Sequence, residues 1–332
     1  MKRLLPLGWT APSVVVFWLM FSLMFSLLTA TASAQDAWPS KPVRLVVPSS
    51  PGGGTDVFAR LLAQALTDSM RQQFLVENRP GASGNIGSEA VARSAPDGYT
   101  FLVSANAALA INPALQKNMS FDVDRDLTPV SRGVMSINVL VVATALGVKN
   151  FADFVALARK QPNVLAYGSA GTGTAPYLGV RKIEELAGVR FLHVPYKGVG
   201  PAYQDLVGGR LQFMYTDVAS VLPHVQSGKV VPLAVDGKTA LLPQVPTFAE
   251  AGWPKFEAPI SFSVMAPAGV ARPIVQRLSS EVATALKALA PRLEQQGLVP
   301  VYDTPEQFSA SLKAERASWS EFIQRQGITA DQ

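Results

Sequence analysis

The residues with the clearest chemical potential are the three consecutive glycines of VVPSSPGGGTDVFAR, Val46 to Arg60, which join an apolar strand-like run to an amphipathic helix. Glycines in that position expose main-chain N–H groups at a helix N-terminus, where aligned peptide dipoles favour an anion. A nucleoside-phosphate loop needs a lysine after its last glycine, but Gly52, Gly53 and Gly54 lead into Thr55 and Asp56. A dinucleotide loop needs a further glycine three residues after Gly54, where Val57 stands. Two readings stay open: a seat for a smaller anion such as a carboxylate, or a tight turn.

The same construction recurs at AYGSAGTGTAP, which ends a second strand-like run and opens a second helix around Pro176. If the two loops belong to different lobes, they could close on opposite ends of one small polar molecule. Tyr167-Gly168-Ser169-Ala170-Gly171 also resembles a nucleophile elbow, with Tyr167 in the place of the first glycine. A rival enzymatic reading is therefore a hydrolase using Ser169 with His193 or His224.

Other chemistry finds little support. The two histidines are too far apart for a zinc helix and there is no cysteine, so neither a metal site nor a cofactor is expected. His193, inside FLHVPY, reads as a structural histidine. Asp122 to Asp126 imitates the start of a calcium loop, but Leu127 replaces the turn glycine and Gly133 the final glutamate; the segment reads as a loop. The formal charge is +5, with lysine and arginine scattered rather than striped, which excludes a nucleic-acid footprint.

The N-terminus is read separately. Lys2 and Arg3 precede an uncharged run to Ala30, and Ala32 and Ala34 form an A-x-A cleavage pattern, so residues 1–34 read as a signal peptide. An uncleaved anchor is the alternative. Export to the periplasm as a soluble body follows from the cleaved form, and a monomer is expected.

The elements that must position the glycine loops alternate in type. VRLVV between Pro42 and Pro48, Phe74 to Glu77, Tyr99 to Ser104, Val134 to Ala143, Val164 to Ser169, Arg190 to Val194, Leu211 to Thr216, Val231 to Val235 and Phe262 to Ala266 read as strands. Helical periodicity marks Thr55 to Met70, Asn85 to Ser94, Asn150 to Lys160, Tyr177 to Leu186, Pro201 to Val207, Pro273 to Ala290 and Thr304 to Gln326. Such alternation predicts an α/β fold with parallel strands. The last helix opens with the capping box Thr304-Pro305-Glu306-Gln307.

Together, VVPSSPGGGTDVFARLLAQAL, VENRPGASGNIGSEAVARSAPDGYT, HVPYKGVGPAYQDLVGG, LPQVPTFAEAG and APAGVARPIVQRL resemble the Bug-type receptors, periplasmic solute-binding proteins of tripartite tricarboxylate transporters. The resemblance covers essentially the whole chain after residue 34. It implies a two-lobed periplasmic-binding-protein fold of the Venus-flytrap type II, with lobe 1 over 35–136, lobe 2 over 137–262 and a return to lobe 1 over 263–332. It also implies capture of a small organic carboxylate in the cleft and delivery to the membrane subunits of the transporter.

By matching position, the resemblance assigns ligand contact to Ser49, Ser50, Gly53, Gly54 and Thr55 in the first loop. In the second it assigns Ser169, Ala170, Gly171, Thr172, Gly173, Thr174 and Tyr177. Ala105 and Asn106, within the strand end Ser104 to Ala107, and Asp217 complete the set. The chain departs from the family pattern at Tyr177, where a histidine is common, at Ser261, where a tryptophan often precedes the phenylalanine, and at Ser49-Ser50. Neither loop carries lysine or arginine, so a carboxylate there would rest on amides, hydroxyls and helix dipoles. This favours an aromatic mono- or dicarboxylate, terephthalate-like compounds included, over an aliphatic dicarboxylate and disfavours citrate; a basic residue reaching in from elsewhere would change the ranking. Asp56 is expected to stabilise its own helix start. Asp217 could take a ligand hydroxyl or ammonium, or bond a neighbouring backbone N–H. Tyr177 could face the ligand or pack on its own lobe. A role as a ligand-sensing partner of a membrane kinase uses the same closed form.

Overall fold

The computed structural model describes residues 38–116, 118–256 and 258–329. The expected signal peptide lies outside the described residues. The fold from Lys41 onward has two sheets, each wrapped by helices.

The first sheet has six strands in the order β11-β4-β10-β3-β1-β2. β1 (Val43–Val47) lies parallel to β2 (Phe74–Asn78) and β3 (Thr100–Ala105). β10 (Ile260–Pro267) runs antiparallel between β3 and β4 (Leu127–Ser136), and β11 (Leu298–Pro300) closes the edge. The second sheet has five strands, β7-β6-β8-β5-β9. In it β6 (Ala166–Ser169) is parallel to β7 (Leu192–Pro195) and β8 (Phe213–Asp217), while β5 (Asn138–Ala143) is antiparallel to β8 and β9 (Val230–Val235).

Helices fill the crossovers because their apolar stripes need a sheet face to cover. Phe58, Leu62 and Leu66 of α1 (Gly54–Met70) are fully buried, and so are Leu178, Val180 and Ile183 of the helix Ala175–Ala187. The helix Pro305–Gln326 starts with the capping box read from the sequence, and Asn150 accepts from the Asp153 amide at 2.8 Å to start Phe151–Lys160.

Three expectations are corrected. Val134 to Ala143 is two strands in different sheets, divided at Ile137. The Ile137 amide donates to Gly297 O (2.8 Å) on the six-stranded side, and its carbonyl accepts from the Val218 amide (2.9 Å) on the other, so one residue is the crossing. Ile260, Ser261 and Phe262, assigned to the second lobe, pair with β3 and β4 in the first sheet. Val123–Asp126 is a short helix rather than a loop, because the Asp122 carboxylate accepts from the Asp124 and Arg125 amides.

Candidate functional site

The carboxyl ends of the parallel strands in both sheets face one another, and between them lies a cavity of ≈ 90 Å³. Ligands of open α/β sheets bind at this end, where loops leave the strands and helices begin. From the first sheet come Pro48, Ser49 and Ser50 after β1, Ala105 ending β3, and Asn106 and Ala107 after it. The second sheet supplies Ala170 and Thr174 after β6, Lys197, Gly198 and Val199 after β7, and Asp217 ending β8. Ile260 and Phe262 of β10 form part of the wall.

Four α-helices start at this cavity without a side-chain cap. They are α1, preceded by Gly53; Asn85–Ala92, preceded by Gly84; Ala175–Ala187, preceded by Thr174; and Val199–Val207, preceded by Gly198. The first-turn N–H groups of a helix lack intrahelical partners and carry a partial positive charge. Thr174 turns its hydroxyl to Gly171 O (2.8 Å) instead of capping its helix. A fifth helix, Val218–Gln226, is capped: Asp217 Oδ1 accepts from the Ser220 amide at 2.9 Å. Of the two roles open to Asp217, the structure thus shows the backbone bond. Burial raises its pKa, with the Ser220 hydroxyl and the Ser220 and Gly54 amides pulling against that rise. Asp56 does not face the cavity. It accepts from Gly52 N (3.1 Å), Arg60 Nε (3.0 Å) and Asn78 Nδ2 (3.0 Å), which ties the glycine loop to its own helix and to β2.

The loops touch across the cleft. Ser83 Oγ donates to Thr172 O (2.6 Å), and Ser50 Oγ to Lys197 O (3.4 Å). A Cβ on Gly54 would come within 2.5 Å of Asp217 Oδ1, and one on Gly173 within 2.6 Å of Asn112 Oδ1. These glycines permit a contact between lobes that no larger residue could make.

Of the residues singled out by sequence, Ser49, Ser50, Gly54, Thr55, Ala105, Asn106, Ala170, Thr174 and Asp217 line the cavity. Gly53, Gly171, Thr172 and Gly173 lie in the same loops but meet the facing lobe: Gly53 approaches Val199, Gly171 approaches Ser83, and Gly173 approaches Asn112. Ser169 is fully buried, its Oγ 2.7 Å from His193 Nε2. Tyr177 is corrected to a core residue. It is 2% exposed and stacks on Tyr167 (6.5 Å) and against His193 (4.7 Å) within its own lobe.

Sequence reasoning missed Ser83, Gly84, Lys197, Gly198, Val199 and Ile260. Lys197 brings a cation from outside the two loops, but it is exposed rather than buried among the amides, so it does not change the expected ranking of guests. The Ser169–His193 pair does not make a hydrolase site, because the hydroxyl is sealed from the cavity. Burial and, less, Arg181 lower the His193 pKa to about 4, which suits a neutral imidazole holding one hydroxyl.

Two sheets joined at Ile137, with strand ends facing across a cavity, define the class of two-lobed solute-binding receptors. The sequence model of the tripartite tricarboxylate transporter family receptors matches residues 58–328. The chain belongs to that family, as a Bug-type receptor. It is 36% identical to protein BugT of Bordetella pertussis over 305 residues, covering 90% of this chain and 93% of BugT. Among solved structures it is similar to Rpa4515 of R. palustris with adipate, at 35% identity and TM-score 0.85, covering 88% of this chain and 99% of that one. It is also similar to MatC from Rhodopseudomonas palustris with bound malate, at 28% identity and TM-score 0.81, covering 86% and 100%.

Proposed function

We propose that the protein is a periplasmic receptor that closes its lobes on a small organic carboxylate and presents the closed form to the membrane subunits of a tripartite tricarboxylate-type transporter. One observation carries the reading: four uncapped helix N-termini, from both lobes, converge on one cavity. Such termini favour an anion of modest charge, and each charge-assisted bond contributes about 1.5 to 3 kcal/mol. No covalent step is involved; the guest binds the closed form more tightly and shifts the population towards it.

Phe262, Ile260, Val199 and Pro176 give the cavity apolar walls, so the preferred guest has an apolar body, and an aromatic mono- or dicarboxylate fits that description. A second reading, an aliphatic dicarboxylate, is favoured by the adipate in the R. palustris relative, a flexible chain that can also fold to fit a narrow space. A cavity of about 150 Å³ holds benzene, so ≈ 90 Å³ takes an aromatic ring only if the lobes part slightly.

Thermal-shift measurements on the chain from residue 35 decide between these. A guest that binds only the folded state raises the melting temperature. Benzoate and terephthalate are expected to stabilise most, adipate and succinate less, and citrate little. Stabilisation by adipate alone would select the aliphatic reading, and no stabilisation by any carboxylate would overturn the function. Deleting the gene and measuring uptake of the best ligand separates transport from sensing.

A further inference from the structure

The carboxylate reading accounts for the donors around the cavity, Ser49 Oγ among them, and leaves an acceptor without a purpose. Asn106 is 2% exposed and lines the cavity just beyond the end of β3. Its Nδ2 donates twice, to Pro259 O at 3.0 Å and to Glu315 Oε1 at 2.5 Å. Its Oδ1 is buried and has no partner. Turning the amide over would set that oxygen against the Pro259 carbonyl, which can only accept, so the orientation is fixed by its neighbours. Glu315 is itself held in place, 3.9 Å from Arg132 on β4.

A buried acceptor without a partner has lost its water and gained nothing in return, and a guest able to donate to it recovers that cost. A carboxylate cannot, since ionised it only accepts. We infer that the cavity has a donor-recognising subsite at Asn106 Oδ1, so that the preferred guest carries a hydroxyl or amino group in addition to its carboxylate. This rests on the carboxylate reading and narrows it to hydroxy- or amino-substituted acids. A site built to bond a hydroxyl rejects the analogue lacking it, because its own polar atom is then stranded.

The test compares pairs of acids that differ only in the donor: 3- and 4-hydroxybenzoate and 4-aminobenzoate against benzoate, and malate against succinate. Titration calorimetry on the wild-type chain is expected to show the donor-bearing member of at least one pair binding about tenfold or more tightly. In Asn106→Ala the ratio of affinities within the pair should collapse towards one, whatever the change in affinity for the unsubstituted acid. Asn106→Ser, whose hydroxyl can donate as well as accept, should shrink it too if the alanine variant folds poorly. Equal binding within every pair by the wild-type protein would overturn the subsite and leave the carboxylate reading standing. A preference that persists in a folded Asn106 variant would also overturn it. If no acid of any pair binds, the carboxylate reading fails and the subsite with it.

Discussion

Gly54, the first residue of α1, lies so close to Asp217 of the opposite lobe that a Cβ there would sit 2.5 Å from Oδ1 and 2.8 Å from Cγ. The contact joins the start of one lobe's helix to the residue that caps a helix of the other. The lobes can approach this far only with a hydrogen atom at position 54.

Gly54→Ala is therefore expected to hold the lobes apart. The added methyl also meets Phe262 Cζ at 2.8 Å, and overpacking of this kind costs about 1 to 3 kcal/mol. Calorimetry on the folded variant should show affinity for the best carboxylate reduced by about tenfold or more, with the far-ultraviolet dichroism of the wild type retained. Wild-type affinity would show that this approach is not needed for binding.

Gly173 permits a separation of two effects. Its φ is +88°, and a Cβ would meet Asn112 Oδ1 at 2.6 Å and Leu115 Cδ1 at 2.7 Å across the cleft. Gly147 has φ +73° with nothing within 4 Å. Alanine at either position carries a left-handed strain of about 1 to 2 kcal/mol. Gly147→Ala should lower stability and leave affinity unchanged, whereas Gly173→Ala should lower both. Equal affinities in the two variants would remove the contact with Asn112 from the account of closure.

Much of this architecture was legible because local patterns and global layers agree. The strand before each glycine loop and the helix after it have different periodicities, and the cap at Thr304 is visible in four residues. The apolar pattern alone does not show the break at Ile137: strands buried on both faces read as one run, so Val134 to Ala143 reads as a single strand, and the boundary after residue 136 comes from the family resemblance.

Lys197 was missed for a different reason. Its place at the rim depends on β7 lying beside β6, with the Tyr196 amide bonded to Ser169 O at 2.9 Å, a pairing that no local pattern announces. Tyr177, by contrast, could have been read correctly. With Val180, Glu184 and Ala187 it forms a buried stripe at helical spacing, the mark of a side chain packed on its own lobe.

Lys197 is the one cation among the described residues that line the cavity, and it is exposed. An exposed charge pair contributes only about 0.2 to 1 kcal/mol. Lys197→Met is thus expected to weaken a dicarboxylate by a few-fold and a monocarboxylate by less, with the difference shrinking at high salt. A loss of a hundredfold would instead place the guest's main anchor on this side chain and overturn the amide-based grip.

Stability should depend on pH through His193 in a direction that follows from its burial. Folding lowers its pKa from the ordinary 6.5 to about 4, so between those values the unfolded chain binds more protons. Its contribution is complete above about pH 6.5 and is lost as the pH falls towards 4, at about 1.4 kcal/mol per unit of difference. Asp236 opposes it. Burial raises its pKa from 3.8 to about 6, although it accepts from the Asn138 amide (2.8 Å) and Tyr215 Oη (3.0 Å). Here the folded chain holds the extra proton, so stability declines as pH rises through the same window. The wild-type curve mixes the two slopes, and the difference from His193→Gln isolates one. Glutamine can still bond Ser169 but does not titrate. Denaturant midpoints of wild type and variant should draw together, or cross, as pH falls from 6.5 to 4. A constant separation across that range would mean that His193 keeps its ordinary pKa in the folded protein and that its bond to Ser169 does not hold it neutral.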